Sequence, residues 1–332
     1  MNYLLAIPRL LRLPNLVIVL LTQWIPYWLI LRPAILKAGG VPVLTERTFG
    51  LLSANTVIVT MAGYVINDYF DRETDVLNRP DRAVVGSLVS TSVALLMYWF
   101  LLALSTFLSL QLFLELPGPR AYWPLWVFPA VSAGLFLYAW GLKCTPVVGN
   151  LFVAFLCGIV PVILLVPEDR PLWLASFQEP ERVHQATGLV WLYALFAFFT
   201  NLLREQVKDL EDFTGDAACQ CNTLAVVRGP RVARVHAGMT GLAATVLVLL
   251  LLYFWAETGA PYWQFGAGVA FLLLPTSVGS LVLFRANARK HFTIVSQLVK
   301  FVMIAGILLL ARTWPADALD SLKQIASAVL AR

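Results

Sequence analysis

"LLSANTVIVTMAGYVINDYFDRETDVLNRPDR", residues 51–82, begins as a nearly continuous apolar run and ends with Asp68, Asp71, Glu73, Asp75 and Asp81 close together. A hydrocarbon core about 30 Å thick is crossed by about 20 apolar helical residues. The run is therefore a candidate membrane span, and the carboxylates sit where it leaves the bilayer. Similar windows recur at 14–31, 87–113, 122–142, 147–166, 187–203, 236–256, 262–284 and 292–311, so nine spans are expected with 51–66 included. With 59% hydrophobic and 13% charged residues and a mean hydropathy of +0.77, the 332-residue chain is far more apolar than a soluble domain.

Backbone polar groups inside a bilayer must be satisfied within the chain, and these segments are too long and too continuously apolar for barrel strands. The expected fold is all-α, a polytopic nine-transmembrane-helix bundle forming a single domain over 1–332. No small-residue cleavage site follows the first run, so it is expected to be a retained span rather than a signal peptide. After Pro315, Leu319, Leu322, Ile325, Ala326 and Val329 fall on one helical face, which predicts an interfacial helix over about 315–332.

More of the 24 Lys and Arg residues fall on one set of connections than on the other, Arg9, Arg12, Lys143, Arg228, Arg231 and Arg234 among them. This bias predicts an inner-membrane protein with its N-terminus in the cytoplasm. The net charge of +5 follows from that topology, and no basic aromatic module points to nucleic acid. No protein partner is evident. Cys144, Cys157, Cys219 and Cys221 form no CxxC pair, and three lie at or near the inner side, where thiols stay reduced. They are expected to be bystanders. The outer stretch 167–185 is expected to be a solvated loop.

A second inner stretch repeats the spacing of the first. Asp68, Asp71 and Asp75 are matched by Asp209, Asp212 and Asp216, each triplet at i, i+3 and i+7, which is one helix face. An even number of spans lies between them, so both acidic faces can meet on one side of the membrane. More than half of the 19 acidic residues lie in these two segments. Such clustered charge calls for hard divalent cations, and Mg²⁺ binds through a few carboxylates while taking other ligands from phosphates. Arg72, Arg79, Arg82, Lys143, Arg204 and Lys208 lie beside the acids and suit a diphosphate. A diphosphate clamp at the mouth of an apolar interior fits a polyprenyl diphosphate. A divalent-cation transporter is the alternative from another class, although transporters tend to coordinate ions near the midplane. Lys300, within the last span, has no role in this scheme.

"NDYFDRETD", residues 67–75, resembles the NDxxDxxxD signature of the UbiA superfamily of intramembrane prenyltransferases, and "DLEDFTGD", residues 209–216, resembles its DxxDxxxD signature. The likeness extends through "LRLPNL", "NRPDR" and "YAWGLKCTPVVGN", whereas Ala83 and Ala225 stand where many relatives have proline. The resemblance implies a lipid-facing cavity capped by the two acidic loops. It implies two Mg²⁺ ions bound with the prenyl diphosphate, one held by Asn67, Asp68, Asp71 and Asp75 and the other by Asp209, Asp212 and Asp216. Arg79, Lys143 and Lys208, with Arg72, Arg82 and Arg204, would grip the diphosphate. Tyr138 would lie near the reacting carbon, and Arg12 and Asn15 near the acceptor. Asp71, Asp75, Asp212, Asp216 and Tyr138 are the expected catalytic residues. Within the family the chain looks more like the ether-lipid branch, which moves a geranylgeranyl group onto geranylgeranylglyceryl phosphate, a membrane-associated acceptor. The branch that alkylates 4-hydroxybenzoate or a similar aromatic acid is the alternative.

Overall fold

The structure is a computed structural model that describes residues 3–78, 83–257 and 260–311. Arg79, Arg82 and the expected interfacial helix over 315–332 lie outside the described residues. Long helices dominate: α1 (Leu13–Lys37), α2 (Glu46–Phe70), α4 (Thr91–Glu115), α8 (Pro180–Glu211), α10 (Pro230–Glu257), α11 (Tyr262–Arg285) and α12 (Arg289–Leu310). Shorter ones are α3 (Arg72–Asn78), α5 (Pro124–Trp140), α6 (Val148–Val162), α7 (Leu165–Ala175) and α9 (Phe213–Ala218).

Among the described residues seven helices are long and apolar enough to cross a membrane, or eight if α6 and α7, bent by 45°, count as one span. α5 is apolar but shorter, so the expected count of nine is not confirmed. The bend has a chemical cause: Pro167 has no N–H to donate to the carbonyl four residues back, at Ile163. A π segment, Pro26–Leu31, likewise begins at a proline inside α1.

Helix starts follow their capping residues. Thr45 and Thr48 exchange backbone-to-hydroxyl hydrogen bonds of 2.8 and 3.2 Å at the start of α2. The outward faces are apolar: on α4, Leu96 is 71% exposed, and Trp99, Phe100 and Leu114 are exposed as well. Contiguous apolar surface of this kind is stable against lipid and not against water.

α1 packs on α2 and α6, α2 on α4 and α5, α6 on α8, and α12 on α8 and α1, which closes a ring. α10 and α11 extend the bundle beyond α8 and α12. The end of the bundle away from the acidic motifs holds one correction to the solvated loop expected over 167–185. Its first part is helix α7, and Glu168 there is fully buried. Its carboxylate accepts the Val43 and Leu44 N–H groups at 2.9 and 2.8 Å and the Tyr27 hydroxyl at 3.2 Å. A turn with two inward N–H groups needs an acceptor, and that need is visible only once the chain is folded.

Candidate active site

Both acidic motifs sit at the same structural feature. α2 runs out at Phe70, Asp71 occupies its C-terminal cap, and α3 restarts at Arg72. α8 ends at Glu211, Asp212 caps it, and α9 begins at Phe213. Each triplet therefore straddles a helix junction instead of lying on one unbroken helical face. The i to i−4 bonding persists across both junctions: Asp71 N to Asn67 O and Asp75 N to Asp71 O are each 2.8 Å. Asp212 N to Lys208 O and Asp216 N to Asp212 O are 2.9 and 3.0 Å.

The junctions meet on one side of the bundle, as the even number of spans requires. The Gly215 N–H donates to Asn78 Oδ1 at 3.0 Å, so α3 docks directly on α9. A Cβ at Gly215 would stand 2.3 Å from that oxygen, so only glycine allows the approach. Lys143, on the turn between α5 and α6, pairs with Asp71 Oδ1. That turn packs so tightly that a Cβ at Gly149 would lie 2.6 Å from the Leu142 carbonyl oxygen. Burial foremost, then the neighbouring charge of Lys208, pushes the Lys143 ammonium down to about 7, against the pull of Asp216 and Asp68. Direct contact with Asp71 favours the charged form, so the pair is an ion pair that tolerates burial because both partners are present.

Asn67, expected at the first metal site, donates through Nδ2 to Asp71 Oδ2 at 2.6 Å, whereas Asn150, which sequence reasoning missed, donates through Nδ2 to Asp209 Oδ2 at 2.8 Å. Asn150 and Asn78 both lie in conspicuous motifs, "VVGN" and "NRPDR", which was the available signal. Arg12 pairs with Asp68 at 2.6 Å and lies 4.8 Å over the Tyr64 ring. Its backbone is left-handed, φ 52°, which breaks the short helix Tyr3–Leu10 from α1 and costs a side-chain-bearing residue about 1–2 kcal/mol. Arg12 therefore reaches inward and does not snorkel.

Below these groups a cavity of about 250 Å³ runs between α1, α2, α5, α6, α8 and α12. Its walls are largely apolar, with Ile18, Val19, Val59, Leu135, Val153, Leu156, Val160, Phe196 and Ile307 among them. Polar groups line it as well, Arg12, Asn15, Asn67, Arg204, Glu205 and Lys208 among them, and so do Tyr138, Asn201 and Lys300. Arg204 and Lys208 lie 2.6 and 3.9 Å from Glu205 oxygens. Of the expected diphosphate ligands, Arg72 stands apart, bonded to the Tyr69 carbonyl at 3.0 Å and to Glu73 at 3.2 Å.

Among the described residues no three His, Cys, Asp or Glu side chains converge closely enough to hold a metal ion by themselves. The donors are nevertheless all oxygen, arranged around Lys143 and Arg12, which now carry the positive charge. That set suits a hard divalent ion that binds through one or two carboxylates and completes its shell with water and phosphate oxygens.

The cysteines depart from expectation. Cys144 and Cys221 form a disulfide with a Cα–Cα distance of 4.7 Å, linking the Lys143 turn to the segment after α9. Cys157 and Cys219 are free. A sequence separation of 77 gives no hint of the pairing, which arises from the docking of the Lys143 turn on the segment after the second acidic motif.

The description "UbiA prenyltransferase family" fits residues 23–313. The chain belongs to the UbiA prenyltransferase family. It is a membrane-embedded prenyltransferase. Among its UbiA relatives, digeranylgeranylglyceryl phosphate synthase of Methanothermobacter thermautotrophicus is 32% identical over 84% of this chain and 92% of that one. A solved structure of a digeranylgeranylglyceryl phosphate synthase in membranes aligns with a TM-score of 0.59 and 21% identity, over 94% of this chain and 99% of that one. A UbiA homologue from Archaeoglobus fulgidus, bound to GPP and Mg²⁺, aligns with a TM-score of 0.50 and 14% identity, over 92% and 99%. At those identities the two structures speak for the UbiA fold alone.

Proposed function

We propose that this protein transfers a geranylgeranyl group from its diphosphate to geranylgeranylglyceryl phosphate. The observation that carries the reading is one apolar cavity whose polar end adjoins both acidic motifs, docked through Asn78 and Gly215. The curated relative of about the same length supports the choice of acceptor.

In this reading Asn67, Asp68, Asp71 and Asp75 would hold one Mg²⁺ and Asp209, Asp212 and Asp216 a second, with water and diphosphate oxygens completing each shell, and the ions would supply positive charge to the departing diphosphate. Lys143 and Lys208 exchange their carboxylate partners for diphosphate oxygens, with Arg204 beside them on the same wall and Arg79 and Arg82 following the first motif. Preorganised positive charge stabilises the diphosphate as the C1–O bond breaks and the electron pair leaves with oxygen. The allylic carbon becomes cation-like inside apolar walls that exclude water, where the Tyr138 ring stabilises it. The acceptor hydroxyl oxygen then bonds to C1 and its proton passes to the released diphosphate, forming an ether and hydrogen diphosphate. Arg12 and Asn15 line the acceptor side. The inner end, by the positive bias of the connections, faces the cytoplasm across the inner membrane.

The test is to incubate purified protein in lipid with Mg²⁺, labelled geranylgeranyl diphosphate and a panel of acceptors, and to identify the product. A digeranylgeranylglyceryl phosphate ether is expected. Transfer to 4-hydroxybenzoate alone would replace the acceptor, and ion flux without transfer would overturn the enzyme reading.

A further inference from the structure

Lys300 stands outside the chemistry above, yet it lines the same cavity. It lies about 16 Å along α12 from Arg289 and about 15 Å from Leu310, at 1.5 Å per residue, so it is near the middle of the span. Arg289 marks the inner end, because its guanidinium donates to the Asn78 carbonyl at 3.0 Å. A lysine side chain is too short to carry its ammonium from that depth to either surface, and an ammonium there is costly to insert. Ionisable groups at such depth face a cavity and mark a ligand path.

The neighbours of Lys300 say what ligand. α12 packs on α8 and on α1, and Lys300 lines the same cavity as Asn201 and Arg204 of α8 and Asn15 of α1. Arg12, Arg204, Lys208 and Lys300 line the cavity, whereas Glu205 is the acid that does so. The carboxylates that would bind metal lie at the junctions above. Arg12 pairs with Asp68, and Arg204 and Lys208 are assigned to the diphosphate, so the ammonium that Lys300 adds near mid-span is placed for a second anionic group, distinct from the diphosphate, in the same cavity.

We propose that Lys300 binds the phosphate monoester of the acceptor and so selects a phosphorylated lipid over a neutral one. This rests on the glyceryl phosphate acceptor proposed above. Lys300 is a specificity residue that touches substrate and takes no part in breaking the diphosphate bond. Lys300→Met and Lys300→Arg are compared with the parent protein in lipid with Mg²⁺, varying geranylgeranyl diphosphate and geranylgeranylglyceryl phosphate in turn. Lys300→Met is expected to raise KM for the glyceryl phosphate by about tenfold or more, the worth of one charged hydrogen bond, while KM for the diphosphate stays within about twofold. Lys300→Arg restores most of the loss. Equilibrium binding of the glyceryl phosphate lipid without Mg²⁺ weakens in parallel. An equal rise in both KM values, or none in either, overturns the role of Lys300. If the parent protein itself does not use the glyceryl phosphate, the acceptor assignment fails instead, and the two failures are told apart by that control.

Discussion

Asn78 Oδ1 accepts the Gly215 N–H at 3.0 Å, and through this one bond the segment after the first acidic motif rests on the segment carrying the second. Neither residue is acidic or basic, yet both motifs are placed relative to each other by the contact. It stands to the site as a hinge pin stands to two plates.

Gly215→Ala should separate the plates. Its Cβ would meet Asn78 side-chain atoms at 2.3 to 2.6 Å, far inside contact distance. We expect transfer to fall by about tenfold or more, since misplacing catalytic groups by about 1 Å is costly, while helical content by circular dichroism is unchanged. Asn78→Ala should do the same more mildly. Full activity in Gly215→Ala would show that the contact does not position the motifs.

Asp71→Ala and Asp212→Ala should each abolish transfer with expression retained, because each removes the carboxylate at its helix junction. Chelation by EDTA should abolish activity of the parent protein, and added Mg²⁺ should restore it. Wild-type turnover in either variant would refute the two-ion assignment.

Lys143→Met should raise KM for the prenyl diphosphate by about 10- to 100-fold, as expected for loss of a charge-assisted hydrogen bond, and should leave acceptor KM little changed. The variant also leaves the part-buried Asp71 without its cation, so thermal stability should drop slightly. Lys143→Arg separates the effects by keeping the charge. An unchanged diphosphate KM in Lys143→Met counts against the assigned grip.

Cys144→Ser with Cys221→Ser should lower stability by about 2–4 kcal/mol, the usual worth of a cross-link closing a long loop. Mass spectrometry of unreduced peptides should show the Cys144–Cys221 pair. Identical peptide maps with and without reductant would show that the thiols are free in the isolated protein.

Glu168→Leu tests the end away from the acidic motifs by itself. The Val43 and Leu44 N–H groups lose their acceptor, at about 1–3 kcal/mol for each buried group left unpaired, while the Tyr27 hydroxyl keeps the Leu44 carbonyl, so the melting temperature should fall clearly. Turnover at permissive temperature should be close to normal, because Glu168 does not line the cavity. A selective loss of turnover at full stability would reassign it.

The sequence by itself determined the class of the molecule. Its apolar windows, the spacing of Asp68, Asp71 and Asp75 and its repetition at Asp209, Asp212 and Asp216 are local patterns, and local patterns dictate helices, membrane burial and metal-phosphate chemistry. Tertiary structure alone decided that each triplet bends at its middle aspartate, that Asn150 holds Asp209, that Cys144 meets Cys221, that Glu168 is buried and that Lys300 opens onto the cavity. Those facts depend on which helices pack together, and packing joins residues whose separation in the chain carries no periodic trace.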